Sequence, residues 1–148
     1  MIIEDSVEVA AAPGRVFDIL VDPVTWFKLD PTLVDVTPRK TLALGSTGTM
    51  RNRRAPGLVA KASFTTVTFV PGVNVTQELR GWGYKLTEAV ALSAHGTGTR
   101  MTVTDTLVPT SLGERLMVAL SRGIMERDLR TRFAALKALL DAEPAPGG

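Results

Sequence analysis

The chain of 148 residues is 45% hydrophobic and 22% charged, a balance that suits one globular domain with a single sizeable core and excludes a disordered segment. Its 17 basic and 15 acidic residues leave a net charge of +2, too small for a general electrostatic footprint on nucleic acid. The absence of cysteine removes disulfides, thiolate metal sites and a cysteine nucleophile, and His95 is the only histidine.

The first residues, Met1-Ile2-Ile3-Glu4-Asp5-Ser6, lack the basic start and long apolar run of a signal peptide, and no later window reaches the ~18 apolar residues of a membrane span. A cytoplasmic location without stable membrane insertion is expected. Alternation over Ile3–Val9 predicts a strand. Pro13 then opens a helix carrying Val16, Phe17, Leu20 and Val21, which Asp22-Pro23 ends. A second short helix spans Val24–Leu29 and stops at Asp30-Pro31. Strands follow at 33–40, 47–54, 58–70, 73–81, 84–95 and 98–108, punctuated by Gly45, Pro56-Gly57, Pro71-Gly72, Gly81-Gly83 and Gly96-Gly98. Turns this short imply an antiparallel meander. Ser111 and Glu114 form a capping-box pattern for a long helix running to about Asp141. One domain over 1–142 is expected, with a disordered tail over 143–148.

Side-chain parity shows which strand faces point inward. In the strand from 73, the apolar Val73, Val75 and Leu79 oppose Asn74, Thr76, Glu78 and Arg80. Leu86, Val90 and Leu92 define the inner face of the next strand, and Met101, Val103 and Leu107 that of the last. A two-residue turn at Trp82-Gly83 pairs Leu79 with Leu86 and Val75 with Val90, and a turn at Gly96-Thr97 pairs Val90 with Val103 and Leu92 with Met101. A slip of one residue would set apolar side chains against polar ones, so both registers are internally supported.

The same registers place Gln77, Glu88 and Asp105 in one inward lateral row. A two-residue turn at Pro71-Gly72 would extend the row to Thr66 and pair Phe64 with Leu79, although it leaves Val67 and Phe69 outside. Two adjacent carboxylates in an apolar interior require a proton, a cation or water. The row is therefore a candidate polar anchor or acid/base pair on a cavity wall, with a structural ion pair as the competing reading. Arg122 on the long helix is the basic residue expected to face it.

Leu129, Phe133, Leu136 and Leu140 give the second half of that helix an amphipathic face, whereas Leu112, Leu116, Met117, Leu120, Ile124 and Met125 cover a broader arc in its first half. Gly123 interrupts the helix and is expected to leave space beneath it. Met101, Met117, Met125, Trp26, Phe27, Phe64, Trp82 and Tyr84 are suited to an adaptable pocket, although most such residues serve an ordinary core. The run Arg51-Asn52-Arg53-Arg54 reads as a solvated strand end rather than an anion site.

The order of elements and the segment Ala12-Pro13-Gly14-Arg15-Val16-Phe17, Asp22-Pro23 and Trp26 resemble the START-like superfamily, also called SRPBCC, in particular its polyketide cyclase/dehydrase-type members. Phe133-Ala134-Ala135-Leu136-Lys137-Ala138-Leu139 is similar to the final helix of that family. The resemblance implies an α+β helix-grip fold, with a curved antiparallel sheet around the long C-terminal helix and a cavity that relatives use for lipids, polyketides, hormones or aromatic molecules. It carries over no catalytic residue.

The leading functional reading is a carrier or sensor of a small hydrophobic molecule. Its expected binding set is Trp26, Phe64, Gln77, Leu79, Glu88, Val90, Met101, Val103, Asp105, Met117, Arg122 and Met125. The alternative is a polyketide cyclase or dehydratase in which Glu88 or Asp105 transfers protons. A protein-interaction domain is a third reading. No metal site or cofactor is indicated, no nucleic-acid partner is expected, and a homodimer is compatible with the sequence.

Overall fold

Turn chemistry sets the sheet. Pro71 and Gly72 occupy the centre of a turn closed by Val73 N–H donating to Val70 O at 2.9 Å, and Gly72 takes φ +72°, which favours glycine. The computed structural model describes residues 1–81 and 84–143. They form β1 (Ile2–Val9), α1 (Pro13–Leu20), α2 (Pro23–Leu29), β2 (Leu33–Thr37), β3 (Thr47–Ala55), β4 (Leu58–Val70), β5 (Asn74–Arg80), β6 (Tyr84–His95), β7 (Gly98–Pro109) and α3 (Leu112–Asp141). The seven strands make one antiparallel sheet in the order β1-β7-β6-β5-β4-β3-β2. With the long C-terminal helix and two short helices after the first strand, this is the helix-grip fold.

The inferred registers are those of the sheet: Leu79 pairs with Leu86, Val75 with Val90, Val90 with Val103 and Leu92 with Met101. Trp82 and Gly83, at the turn between β5 and β6, lie outside the described residues. Val73 is corrected, because it belongs to the Pro71-Gly72 turn and is 49% exposed rather than facing inward with Val75. β2 stops at Thr37 rather than at 40, since Pro38 has no N–H to continue the ladder.

The conflict over Val67 and Phe69 is resolved by a bulge. Phe64 pairs with Leu79 and Thr66 with Gln77, then the register shifts so that Thr68 meets Thr76 and Phe69 meets Val75. Val67 is the extra residue and remains 41% exposed, while Phe69 turns inward and meets Phe17 edge-on at 5.1 Å. On β3, Gly48 lies opposite Phe64, and a Cβ there would come within 2.5 Å of the Phe64 ring. That close approach lets the ring lean toward Trp26, which it meets edge-on at 5.6 Å.

Asp22 caps α2 by accepting from Val24 N–H at 3.0 Å. Ser111 caps α3, and Glu114 reaches back to the N–H of Thr110 at 2.6 Å, one residue further than an ordinary capping box. The two halves of α3 differ sharply. Leu129, Phe133, Leu136 and Leu140 are buried, whereas Leu112, Leu116, Met117, Leu120 and Ile124 are exposed, with only Val118 buried among the apolar residues of the first half. Gly123 lies on the outer face with open space where a Cβ would stand, so it does not make room beneath the helix. Glu143, assigned above to the tail, instead forms an ion pair with Arg15 beside α1. Residues 144–148 lie outside the described residues.

This asymmetry sets a stability test. Leu129→Ala should cost about 2–5 kcal/mol, as expected when a fully buried leucine leaves a cavity, whereas Leu120→Ala should change stability by less than about 0.5 kcal/mol. Urea unfolding of the two variants measures the contrast, and equal losses would mean that the two halves are packed alike.

Candidate functional site

The polar row is continuous across four strands: Thr66 pairs with Gln77, Gln77 with Glu88 and Glu88 with Asp105. Because neighbours across a sheet lie on the same face, one inward residue places the other three inward. Thr66 and Gln77 satisfy each other, with the Gln77 amide donating to the Thr66 hydroxyl at 2.9 Å. The carboxylates at the other end are met by Arg132 of α3. Its Nη1 and Nη2 donate to the two Glu88 oxygens at 3.2 and 2.9 Å, the planar fork expected of a strong carboxylate clamp. Asp105 Oδ2 stands 3.9 Å from Nη2.

One cation serves two carboxylates, so the third charge must be removed. Asp105 is 2% exposed, and its Oδ1 is buried with no donor among the described residues. Burial, then the charge of Glu88 and a hydrogen bond to it, push the Asp105 carboxyl up to about 9 against the pull of Arg132. Burial also raises Glu88, but the charge and hydrogen bonds of Arg132, with the hydrogen bond from Asp105, outweigh it and hold Glu88 below its ordinary value. Arg132 is desolvated yet held strongly protonated by Glu88 and Asp105. Near neutral pH the cluster is thus an ionised Glu88, a cationic Arg132 and a protonated Asp105, with no net charge.

A cavity of about 190 Å³, partly open to solvent, lies between the inner face of the sheet, α2 and α3. Of the residues expected to bind, Trp26, Phe64, Gln77, Leu79, Glu88, Val90, Asp105 and Met125 line it. Met101 and Val103, each 3% exposed, are core residues outside its lining, and Met117 is 54% exposed on the outer side of α3. Arg122 points away from the row, donating to Ile2 O at 3.0 Å and pairing with Glu126 at 3.2 Å, so Arg132 rather than Arg122 meets the carboxylates. Phe27 is also outside the lining and lies under Arg39, whose guanidinium carbon is 4.7 Å from the ring centre.

Sequence reading missed a second polar group. Asn52, 2% exposed, donates from Nδ2 to Asp30 Oδ2 at 3.1 Å and to the Thr32 hydroxyl at 2.9 Å, and all three residues line the cavity. Asp30 accepts only, which fixes the Asn52 amide and leaves its Oδ1 buried without a partner among the described residues. Parity carried the signal: Met50, Asn52 and Arg54 share the inner face of β3, so the basic run divides between the two faces. Arg132 was detectable in the same way, since it lies four residues before the buried Leu136 and three after Leu129. Asp128, on the same side of α3, is raised by burial and then by the charge of Asp30. Among the described residues, no group of acidic or histidine side chains is arranged to hold a metal ion.

Linkage gives the cluster a pH signature. Because Asp105 moves from 3.8 to about 9 on folding, its stabilising contribution is complete below the unfolded value and is lost as pH rises toward the folded one. Glu88, held low, works oppositely: its contribution is present above the ordinary carboxylate range and is lost as pH falls through its lowered value. Asp105→Asn, which fixes the neutral form, should flatten the decline in urea midpoint between about pH 5 and about pH 9, whereas an unchanged decline would show Asp105 to be ionised in the native state. Arg132→Met should cost about 3 kcal/mol, the low end for breaking a buried pair, since Arg132 and Glu88 keep 32% and 20% of their side-chain exposure.

Comparison with known proteins places this geometry. Residues 1–141 match the family model described as polyketide cyclase / dehydrase and lipid transport. No curated protein is a significant sequence match. Among solved structures, TTHA0849 from Thermus thermophilus is similar with a TM-score of 0.78 at 14% identity, covering 96% of this chain and 98% of its own. Protein CV1439 from Chromobacterium violaceum is similar with a TM-score of 0.75 at 16% identity, over 96% and 98% of the two chains. The di-domain ARO/CYC StfQ from the steffimycin biosynthetic pathway has a TM-score of 0.78 at 14% identity, over 95% of this chain and 50% of its own. Identities this low show a shared fold and nothing finer, but the family match spans almost the whole sequence. The chain belongs to the polyketide cyclase / dehydrase and lipid transport family, within the START-like superfamily.

Proposed function

We propose that the protein binds a small, mainly apolar molecule in the cavity between sheet and α3, as a carrier or sensor. The observation that carries this reading is a cavity whose wall joins Trp26, Phe64, Leu79, Leu86 and Val90 to a charge-neutral Glu88–Arg132–Asp105 cluster. Such a wall suits a ligand with an apolar ring and one polar end, met by Gln77 and the exposed parts of Glu88 and Arg132. A cavity of about 150 Å³ is enough for benzene, so about 190 Å³ suits one ring or a compact pair of rings. Burying a net charge beside an already neutral cluster is costly, which favours a neutral ligand. The family description, which names both lipid transport and polyketide cyclisation, is compatible with this use of the cavity.

A second reading, a cyclase or dehydratase, draws support from one feature: Asp105 holds a proton near neutral pH beside an ionised carboxylate, the arrangement of a general acid. Access weighs against it. Asp105 touches the cavity, but only 3% of its side chain is exposed, whereas a proton donor must come within hydrogen-bond reach of its substrate.

Binding of a neutral two-ring fluorescent probe, 1-aminonaphthalene, separates the readings, together with native mass spectrometry of the purified protein for a co-purified molecule. Leu79→Trp, which fills the apolar wall, should abolish probe binding at an unchanged fold. Gln77→Ala should weaken affinity for a co-purified molecule by about fivefold to tenfold, the worth of one hydrogen bond. Conversion of that molecule by the wild type, lost in Asp105→Asn while binding persists, would replace the carrier with the enzyme. Unchanged probe binding by Leu79→Trp would remove the cavity as the site.

A further inference from the structure

The antiparallel order gathers the β3–β4 turn, the end of β5, the start of β6 and the start of α3 at one end of the sheet, the end where Arg54 and Tyr84 line the cavity. The β3–β4 turn presents Leu58 and Val59, 57% and 44% exposed. α3 begins with Leu112 and Leu116, 79% and 65% exposed, and continues outward through Leu120, 73% exposed. Val118 is buried on its other side between Glu114, Ser121, Arg115 and Arg122, so the half-helix turns an apolar arc of Leu112, Leu116, Leu120 and Ile124 outward, the reverse of the usual polar outer face.

The neighbouring outer face is basic. Arg51 pairs across the strands with Lys61, and Arg80 with Lys85, two like-charge neighbours that each cost the sheet stability. Asp35 lies 3.5 Å from Arg51 and Glu78 3.6 Å from Lys85. No ion pair among the described residues involves Arg53, Lys61 or Arg80. An anion outside the chain would relieve that repulsion.

We propose that this end of the molecule docks on an anionic lipid bilayer surface, with Leu58, Leu112 and Leu116 entering the headgroup layer and Arg53, Lys61, Arg80 and Lys85 meeting lipid phosphates. Long basic side chains reach a charged surface while their stems stay on apolar ground, and each contributes roughly 1 kcal/mol near an anionic leaflet. The occupant is a bilayer rather than a second copy because of size. The exposed half-helix makes a strip about 20 Å long and about 10 Å wide, far short of the roughly 800 Å² per partner of a stable interface. A bilayer sets no such threshold, since apolar insertion and charge act together. Among the described residues no helix is long and apolar enough to cross a membrane, so the contact is peripheral.

Co-sedimentation with vesicles tests the proposal. The full chain should sediment with vesicles of phosphatidylcholine and phosphatidylglycerol at low salt, stay in solution with phosphatidylcholine alone, and leave the mixed vesicles at high salt. Leu58→Ser with Leu116→Ser should lower the bound fraction about tenfold at an unchanged thermal midpoint, and Lys61→Glu with Arg80→Glu should abolish binding. The proposal is overturned if the wild type ignores the mixed vesicles, or if the serine variant binds as the wild type does. It is equally overturned if light scattering finds a two-copy mass that the serine variant reduces to one. Vesicle binding is independent of cavity occupancy, so failure here leaves ligand binding standing, and the reverse also holds.

Discussion

Two carboxylates side by side on the inner face of a sheet are tolerable only if their charge is cancelled in place, and the long helix supplies the cancellation. Arg132 reaches Glu88 as a two-pronged clamp at 2.9 and 3.2 Å, and Asp105 keeps its proton. This fixes more than local charge. An arginine held by a carboxylate on β6 sets the height and rotation of α3 over the sheet, and that placement determines how much of the cavity remains beneath Met125 and Asp128. Leu129 and Leu136, each 1% exposed, pack on either side of the same turn. The apolar contacts supply the adhesion and the charged pair the registration.

The cluster also explains why the cavity has two kinds of wall. Sheet curvature and the bulge at Val67 bring Phe69 inside against Phe17, while Gly48 frees Phe64 to lean on Trp26. Trp26 is itself fixed by its indole N–H donating to Leu20 O at 2.8 Å. These contacts close one side with aromatic and aliphatic groups. Beside them, Asp30, Thr32 and Asn52 form a hydrogen-bonded set that ties the α2–β2 connection to β3. A ligand in the cavity meets polar groups already held in place by one another, with Asn52 Oδ1 left as a free acceptor among the described residues.

Much of this was legible from alternation and turns, because both are local. Pairing of Gln77 with Glu88 and of Glu88 with Asp105 follows from two-residue turns and the inward placement of Leu86, Val90 and Val103. The bulge was not legible: inserting Val67 changes parity within a continuous β-branched run, and only the tertiary demand for Phe69 inside selects it. Arg132 escaped for a related reason. Helical spacing puts Arg122 in phase with Leu140 inside the buried arc of α3 and Arg132 at its edge, so spacing alone favours Arg122, and only the position of the helix over the sheet decides that Arg122 meets Ile2 O while Arg132 meets Glu88. Asn52 was hidden by its neighbours, since a run of arginines reads as surface until alternation is applied through it.

Stability alone gives no reason for a buried Arg132–Glu88–Asp105 cluster. Replacing a buried ion pair or triad by apolar groups of similar volume is often neutral or stabilising, because removing charges from water costs about as much as their attraction returns. In this sheet the apolar alternative is readily available, as the neighbouring inner positions Leu86, Val90, Val103 and Leu107 show. The distribution of exposure within the cluster separates two contributions. All three line the cavity, but Asp105 keeps only 3% of its side chain accessible and serves charge balance, while Glu88 and Arg132 keep a fifth and a third of theirs. A purely structural clamp would be expected to hide its charged groups together. Leaving the donor and acceptor ends of a neutral pair facing the cavity instead provides orientation to whatever occupies it, without imposing a net charge on the occupant.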